Sequence, residues 1–305
     1  MLSYADLDPG FFPEWKEPGD VVGYVTDEAS RKTGIQPGTP VIAAGHDTQF
    51  APIGAGAKPG DYVLSSGTWE ILMVRSERYN PNKYAFEEGV IIEADAVKGL
   101  WNPQFLMIAS AVLEWIRKVF YPELKPGEYE PMLKEAVNVP AGSEGVIVVP
   151  SFISESGPNR KYGTKGTILG LTLKTTRGHV YRAALEGLSF QLKQALEILS
   201  RATGVKPTEL RVVGGGSKNQ LWNKIRADVT GLPVMVPRQK EATVLGASLT
   251  AFTGAGYYKT LEEAVKTVRE EVEVYKPGLD KEVYEKAYAR YLRVPPSLRE
   301  FYLTA

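Results

Sequence analysis

The chain has 305 residues, enough for two domains of ordinary size, and its 43% hydrophobic and 24% charged residues exclude a disordered or fibrous polymer. Thirty-six Lys and Arg balance thirty-six Asp and Glu, so no whole-surface attraction draws it to nucleic acid or to an anionic membrane. With no cysteine there are no disulfides, thiolate metal sites or cysteine nucleophiles, and His46 and His179 are too few for a multi-histidine metal centre.

Residues 1–40 are rich in proline, glycine and acidic residues, with Pro9, Pro13, Pro18, Pro37 and Pro40. One short helix is predicted near Asp27 to Thr33, and the stretch reads as a connection inside a larger domain. The first residues have neither a basic end nor an apolar run, so a signal peptide is not expected. Val41 to Ala44 is a short apolar run ending at Gly45, the signature of a buried strand. Tyr62–Leu64 and Glu70–Val74 are predicted strands, and the small residues Ser65, Ser66, Gly67 and Thr68 between them predict a hairpin. Val90–Glu93 and Ala96–Leu100 continue the β pattern. Gly99 to Leu113 is weakly polar but shorter than the roughly 18 apolar residues a membrane span needs. From Ala109 to Phe120, apolar residues at Val112, Leu113, Ile116, Val119 and Phe120 follow the helical period. Gly145–Pro150 and Thr167–Leu173 are predicted strands on either side of a loop carrying Gly157, Pro158 and Asn159. Arg177 to Arg201 is the longest helical pattern, with Ala183, Ala184, Leu188, Leu192, Leu196 and Leu199 in one band. Strand Leu210–Val213 runs into Gly214, Gly215 and Gly216, followed by a helix over Gln220–Thr230. Pro233–Val236 is a strand, Ala242 to about Thr253 a helix, and a polar helical tail starts at Leu261. Strands alternating with helices after Pro140 predict a layered α/β domain on a mixed sheet, in a soluble, cytoplasmic chain.

Three places could carry chemistry. At GGGSKNQLWNKI, beginning at Gly214, glycines bare the backbone where a helix starts, which suits a flat or anionic ligand. The spacing is neither the dinucleotide fingerprint nor a P-loop, and a purely structural turn fits equally well. The turn Ser65-Ser66-Gly67-Thr68 serves as a phosphate cradle or as an ordinary β-turn. Asp47, just beyond a strand, has the chemistry to take a proton from a hydroxyl, or to cap the short helix that follows. A Ser–His–Asp hydrolase fits poorly, since there is no G-x-S-x-G elbow and His46 adjoins Asp47 in sequence.

The order of these features, with the string GTILGLTLKTTRGHVYRAALE from Gly166 to Glu186, resembles the FGGY family of carbohydrate kinases; that string is similar to the family's C-terminal signature. AGHDTQFAPIGAG, VLSSGTWEILMVRSE, VVGGGSKNQLWNKI and LWNPQFLMIASAVLEWIRKVF are similar to its fuculokinase branch. Rhamnulokinases share the His-Asp-Thr and Ser-Ser-Gly-Thr-Trp strings, but the contexts around Gln49-Phe50 and Trp69 to Leu72 favour fuculokinase. The resemblance implies an actin-like, ribonuclease H-like ATPase fold: a mixed sheet flanked by helices. It implies a remnant of the N-terminal domain over residues 1–55 and the nucleotide-binding C-terminal domain, with its helical tail, over 56–305. It implies ATP and Mg²⁺ as cofactors and phosphoryl transfer to a ketose hydroxyl, L-fuculose-like, with a relative acting on another ketose as the alternative. By the same resemblance Asp47 is the catalytic base, Gly67 and Thr68 touch the β- and γ-phosphates, Gly166 lines the nucleotide, and Gly215, Gly216 and Asn219 form the adenosine motif. His179 and Glu186 are expected to be structural.

The chain also departs from the family. Members are nearly twice as long and begin with an Asp-x-Gly-Thr-like phosphate loop whose aspartate helps hold magnesium, whereas the resemblance here covers the tail of the first domain and all of the second. The loop SESGPNRKYGT also differs from the string usual before the signature. The chain alone is therefore expected to bind ATP weakly and turn over sugar barely. It would act with a separate N-terminal-half polypeptide, self-associate, or serve as a non-catalytic nucleotide-binding subunit. The expectation that organises the rest is convergence of Asp47, the hairpin and the glycine turn on one triphosphate.

Overall fold

The computed structural model describes residues 2–153, 155–239, 241–268 and 271–303. The chain begins with β1 (Val21–Tyr24), α1 (Asp27–Thr33) and β2 (Pro40–Ile42). Next come α2 (Phe50–Gly54), β3 (Tyr62–Ser66), β4 (Trp69–Val74), α3 (Lys83–Glu88), β5 (Ile91–Ala94) and β6 (Trp101–Ile108). The middle consists of α4 (Ser110–Phe120), α5 (Glu130–Val137), β7 (Ile147–Val149), β8 (Thr167–Leu169) and α6 (Arg177–Thr203). Then β9 (Leu210–Val213), α7 (Gln220–Thr230), β10 (Val234–Pro237), α8 (Ala242–Gly254), α9 (Leu261–Thr267), β11 (Val272–Tyr275) and α10 (Lys281–Leu303) complete it.

A seven-stranded sheet in the order β11-β10-β9-β3-β4-β6-β5 forms the centre. β3 and β10 lie parallel to β9, and the remaining pairs are antiparallel. The pairs β1–β2 and β7–β8 are separate antiparallel ribbons. Alternation along β3 decides which layer each side chain enters. Tyr62 and Leu64 pack against Leu192, Leu196 and Leu199 of α6, whereas Val63 packs with Ala51 of α2 and Ala242 of α8. The sheet is thus sandwiched, with α4, α6 and α7 on one face and α2 and α8 on the other.

α6 starts where Thr176 and His179 exchange capping bonds, the Thr176 N–H donating to His179 Nδ1 at 3.2 Å. Its first half packs Val180, Ala184 and Leu188 against α4, β7 and the tyrosines of α10, and its second half lies on the sheet. Full burial of each such leucine is worth about 1.5–3 kcal/mol, so this single helix ties the two clusters together. On the opposite face, α2 and α8 cross closely. A Cβ at Gly246 would drive into the Phe50 carbonyl, and one at Gly54 into that of Ala242.

Three sequence expectations are corrected. The run from Val41 is not a buried strand: β2 pairs only with β1 in a two-stranded ribbon, and Val41 is exposed. Ala96–Leu100 is a turn, and the strand runs over Trp101–Ile108 instead. Asn102, Pro103 and Gln104 break its apolar pattern, yet Asn102 is fully buried because its Nδ2 donates to Gln49 Oε1 at 2.7 Å. The tail after Leu261 is not all helical: β11 extends the sheet antiparallel to β10 before α10 begins.

Candidate functional site

The hairpin turn between β3 and β4 is Gly67-Thr68, closed by the Gly67 N–H donating to the Trp69 carbonyl at 2.8 Å. β9 is the parallel neighbour of β3, with Ser65 opposite Val213, so both strands end at the same edge of the sheet. The chain leaving β9 therefore emerges beside the hairpin, at the carboxyl ends of parallel strands where α/β sheets bind ligands. Gly214 holds φ 84° there, and a Cβ on it would lie 2.7 Å from the Ser66 carbonyl oxygen. A single 3-10 turn over Gly215–Lys218 follows, and Asn219 then caps α7, its Oδ1 accepting from the Trp222 N–H at 2.9 Å.

Between these segments lies a cleft of about 470 Å³. It is lined by small and polar residues, Gly67, Thr68, Ser110, Gly215, Gly216, Lys218 and Asn219 among them, and by the apolar or aromatic Leu113, Tyr129, Leu133, Tyr181 and Trp222. The turn carbonyls are already bonded: that of Thr68 accepts from the Ala109 N–H at 3.1 Å and that of Gly67 from the Ser110 N–H at 3.2 Å, which anchors the start of α4. The side chains of Thr68, Ser110 and Lys218 have no hydrogen-bond or ion-pair partner among the described residues, and so are available to a ligand. No carboxylate lines the cleft among the described residues. Magnesium takes oxygen ligands, chiefly carboxylates and phosphates, so these residues do not by themselves make a site for it.

Two tyrosines line the cleft. The Tyr129 hydroxyl donates to Glu114 Oε2 at 2.8 Å; burial and that bond push its pKa up to about 12. Glu114 is in turn held below the usual carboxylate range, chiefly by hydrogen bonds from Arg117, whose Nε lies 3.0 Å from both oxygens. The Tyr181 hydroxyl accepts from Asn219 Nδ2 at 3.5 Å, and burial raises its pKa as well.

A buried ionic network lies beneath the cleft. Arg226 on α7 pairs with Glu70 on β4, both side chains wholly inaccessible. Burial pulls the Arg226 pKa down, against the attraction of Glu70. Arg226 Nη2 also donates to Ser66 Oγ at 2.7 Å, and its Nη1 to Asn223 Oδ1 at 2.9 Å.

The structure brings together five of the seven residues singled out from the sequence: Gly67, Thr68, Gly215, Gly216 and Asn219 line one cleft. Asp47 and Gly166 are not among the residues lining that cleft. Asp47 begins a 3-10 turn that leads into α2, on the face of the sheet opposite α4 and α7, and its side chain is 83% exposed. Its Oδ1 accepts from the Thr48 N–H at 2.8 Å. His46 and Gln49 beside it line a different cavity of about 510 Å³, where Glu93 Oε2 accepts from Gln49 Nε2 at 2.5 Å. Gly166 precedes β8, against the ring of Phe152. His179 and Glu186 are structural, as expected: the former caps α6, and the latter is buried and accepts from Gly142 N–H at 2.9 Å and Ser143 Oγ at 2.8 Å.

Lys218, Ser110, Tyr129, Tyr181 and the Glu70–Arg226 pair were missed from the sequence. Glu70, the one charge in the strand WEILMV, was a legible signal of a buried partner.

Residues 62–255 match the model of the FGGY family of carbohydrate kinases, C-terminal domain, and residues 1–54 match that of the same family's N-terminal domain. The chain belongs to the FGGY family of carbohydrate kinases. This FGGY chain is 40% identical over 286 residues to L-fuculokinase of Escherichia coli K12, an alignment covering 94% of the chain and 58% of that relative. It is 31% identical over 303 residues to an autoinducer-2 kinase of Photorhabdus laumondii, covering 94% of the chain and 56% of the relative. Among solved structures, xylulose kinase from Rhodospirillum rubrum superposes with a TM-score of 0.83 at 27% identity, over 99% of this chain and 60% of that one. A ligand-bound xylulose kinase from Lactobacillus acidophilus shares the fold, with a TM-score of 0.85 at 22% identity. The FGGY chain thus has the mixed-sheet, actin-like ATPase fold and spans a little over half the length of the curated relatives it matches.

Proposed function

We propose that this chain supplies the nucleotide-binding face of an ATP-dependent sugar kinase that phosphorylates a ketose of the L-fuculose type. The observation that carries the reading is the single cleft lined by Gly67, Thr68, Gly215, Gly216 and Asn219. Its volume of about 470 Å³ suits a nucleotide, with Gly215, Gly216, Asn219 and the aromatic side chains for the adenosine and Gly67, Thr68, Ser110 and Lys218 for the phosphates. In phosphoryl transfer the sugar hydroxyl attacks the γ-phosphorus, ADP leaves, and the hydroxyl proton passes to a base; the protein positions and neutralises charge and forms no covalent bond. Asp47 is the proposed base. Its exposed carboxylate accepts from the Thr48 N–H and lies 3.4 Å from His46 Nε2 through the same oxygen, Oδ1, so Oδ2 keeps its lone pairs for a proton. In this reading residues 1–55 close the N-terminal domain and 56–305 form the nucleotide domain. The ketose is assigned from the 40% identity to L-fuculokinase, since the specificity of a sugar site is set by residues beyond this cleft.

Calorimetric titration of the chain with ATP tests the reading. Saturable binding is expected, weakened about tenfold by Lys218→Ala, the equivalent of 1.4 kcal/mol. Absence of saturable ATP binding sinks it. For the sugar, turnover by a full-length or reconstituted enzyme is compared on L-fuculose-derived and other ketoses; faster turnover of L-rhamnulose or D-xylulose reassigns the acceptor. A second reading, a nucleotide-binding subunit working with another polypeptide, is favoured by the exposed Val22, Tyr24 and Val41 on the β1–β2 ribbon.

A further inference from the structure

Arg226 reaches the cleft's walls from below without lining it. Its guanidinium holds the hairpin at both ends: Nη2 donates to Ser66 Oγ, immediately before Gly67, and pairs with Glu70, just after the turn. Ser66 Oγ itself donates to Glu70 Oε1 at 2.9 Å, closing a triangle under Gly67-Thr68. On the other side, Nη1 bonds Asn223 Oδ1, and Asn223 Nδ2 donates to the Ser217 carbonyl at 2.8 Å, inside the glycine turn. The guanidinium also stacks 3.6 Å from the centre of the Trp222 ring, a wall of the cleft.

Stability alone is a poor reason for this arrangement. Two charges withdrawn wholly from water lose solvation that their attraction seldom outweighs, and apolar substitutes of similar volume are often neutral or better. Here Glu70 Oε2 and Arg226 Nε find no hydrogen-bond partner among the described residues, so the pair is not optimised for cohesion. What it does achieve is register between two segments that meet only in the folded molecule.

We infer that Glu70 and Arg226 are positioning residues, a buried pin that sets the spacing between the Gly67-Thr68 hairpin and the Gly215-Gly216 turn and so makes the cleft fit a polyphosphate chain. The inference rests on the nucleotide reading above and names the residues that tune it. Because the hairpin Gly67-Thr68 is the part of the pin assigned to the β- and γ-phosphates, cutting its links through Ser66 and Glu70 lowers affinity for ATP more than affinity for adenosine, whereas simple destabilisation lowers both alike.

The test measures Kd for ATP and for adenosine, with thermal melting, on the wild-type chain, on Glu70→Leu combined with Arg226→Met, and on Ser66→Ala. The double substitution removes both charges at similar volume; Ser66→Ala cuts one link and leaves the ion pair intact, so it reports even if the double variant does not fold. The expected result is a melting temperature close to wild type with an ATP-to-adenosine preference reduced about tenfold in the double variant and severalfold in Ser66→Ala. An unchanged preference in a folded variant overturns the pin while leaving the nucleotide cleft standing. No ATP binding by the wild-type chain overturns both.

Discussion

Glu114 holds the Tyr129 hydroxyl at the cleft while Arg117 holds Glu114, so one carboxylate links the ligand end of α4 to the chain entering α5. The hydrogen bonds from Arg117 hold its folded-state pKa below the ordinary 4.5. The stabilisation is therefore present above the ordinary value and is lost as pH falls through the depressed one. Glu114→Gln is expected to melt modestly lower than the parent at pH 7, with the gap closing as pH falls below the ordinary carboxylate range. A gap that stays constant or widens in acid would contradict this account of Glu114. At this scale the sequence was informative where function needs local backbone signals. Asn219 before a helix and Gly67 in a small-residue turn are both legible from neighbours. The pairing of Arg226 with Glu70 is not, since 156 positions separate them: Glu70 inside an apolar strand signals a buried partner but not which residue supplies it.

Elements were readable in proportion to how well their apolar pattern survives. α6 keeps a continuous band because both of its halves face apolar clusters, and its expected bounds lie within two residues of those observed. β6 was displaced in the reading because its buried face carries Asn102 and Gln104, which look solvent-exposed until their neighbours are known. The crossing of α2 and α8 depends on the absence of side chains at Gly54 and Gly246. Gly246→Val should therefore push the helices apart and cost about 1–3 kcal/mol, the usual penalty for overfilling a packed interface. Urea unfolding measures it, and an unchanged midpoint would show that the crossing yields without cost. Since the 3-10 turn that begins at Asp47 leads directly into α2, the same variant is expected to shift the proposed base as well as stability.

Across the whole molecule, large apolar side chains remain uncovered in the first 24 residues: Trp15 is 84% exposed, Tyr24 64% and Val22 51%. Patches of this kind favour association, so the apparent mass in size-exclusion chromatography is expected to rise with protein concentration. Val22→Thr with Tyr24→Ser should return it to that of a monomer; a monomer at every concentration in the parent chain contradicts the expectation. Composition and motif order were enough to establish an α/β chain without thiol chemistry, its turn-forming glycines and a resemblance to carbohydrate kinases, because these depend on residue type and near neighbours. The cleft itself came from topology. Only the parallel pairing of β3 with β9 sets Gly67 beside Gly215, only the sandwiching of the sheet puts Asp47 and α4 on opposite faces, and only burial turns Arg226 from a surface charge into a brace. Contacts between segments far apart in the chain leave no periodic trace in it, because they are selected by packing and desolvation after the local structure has formed.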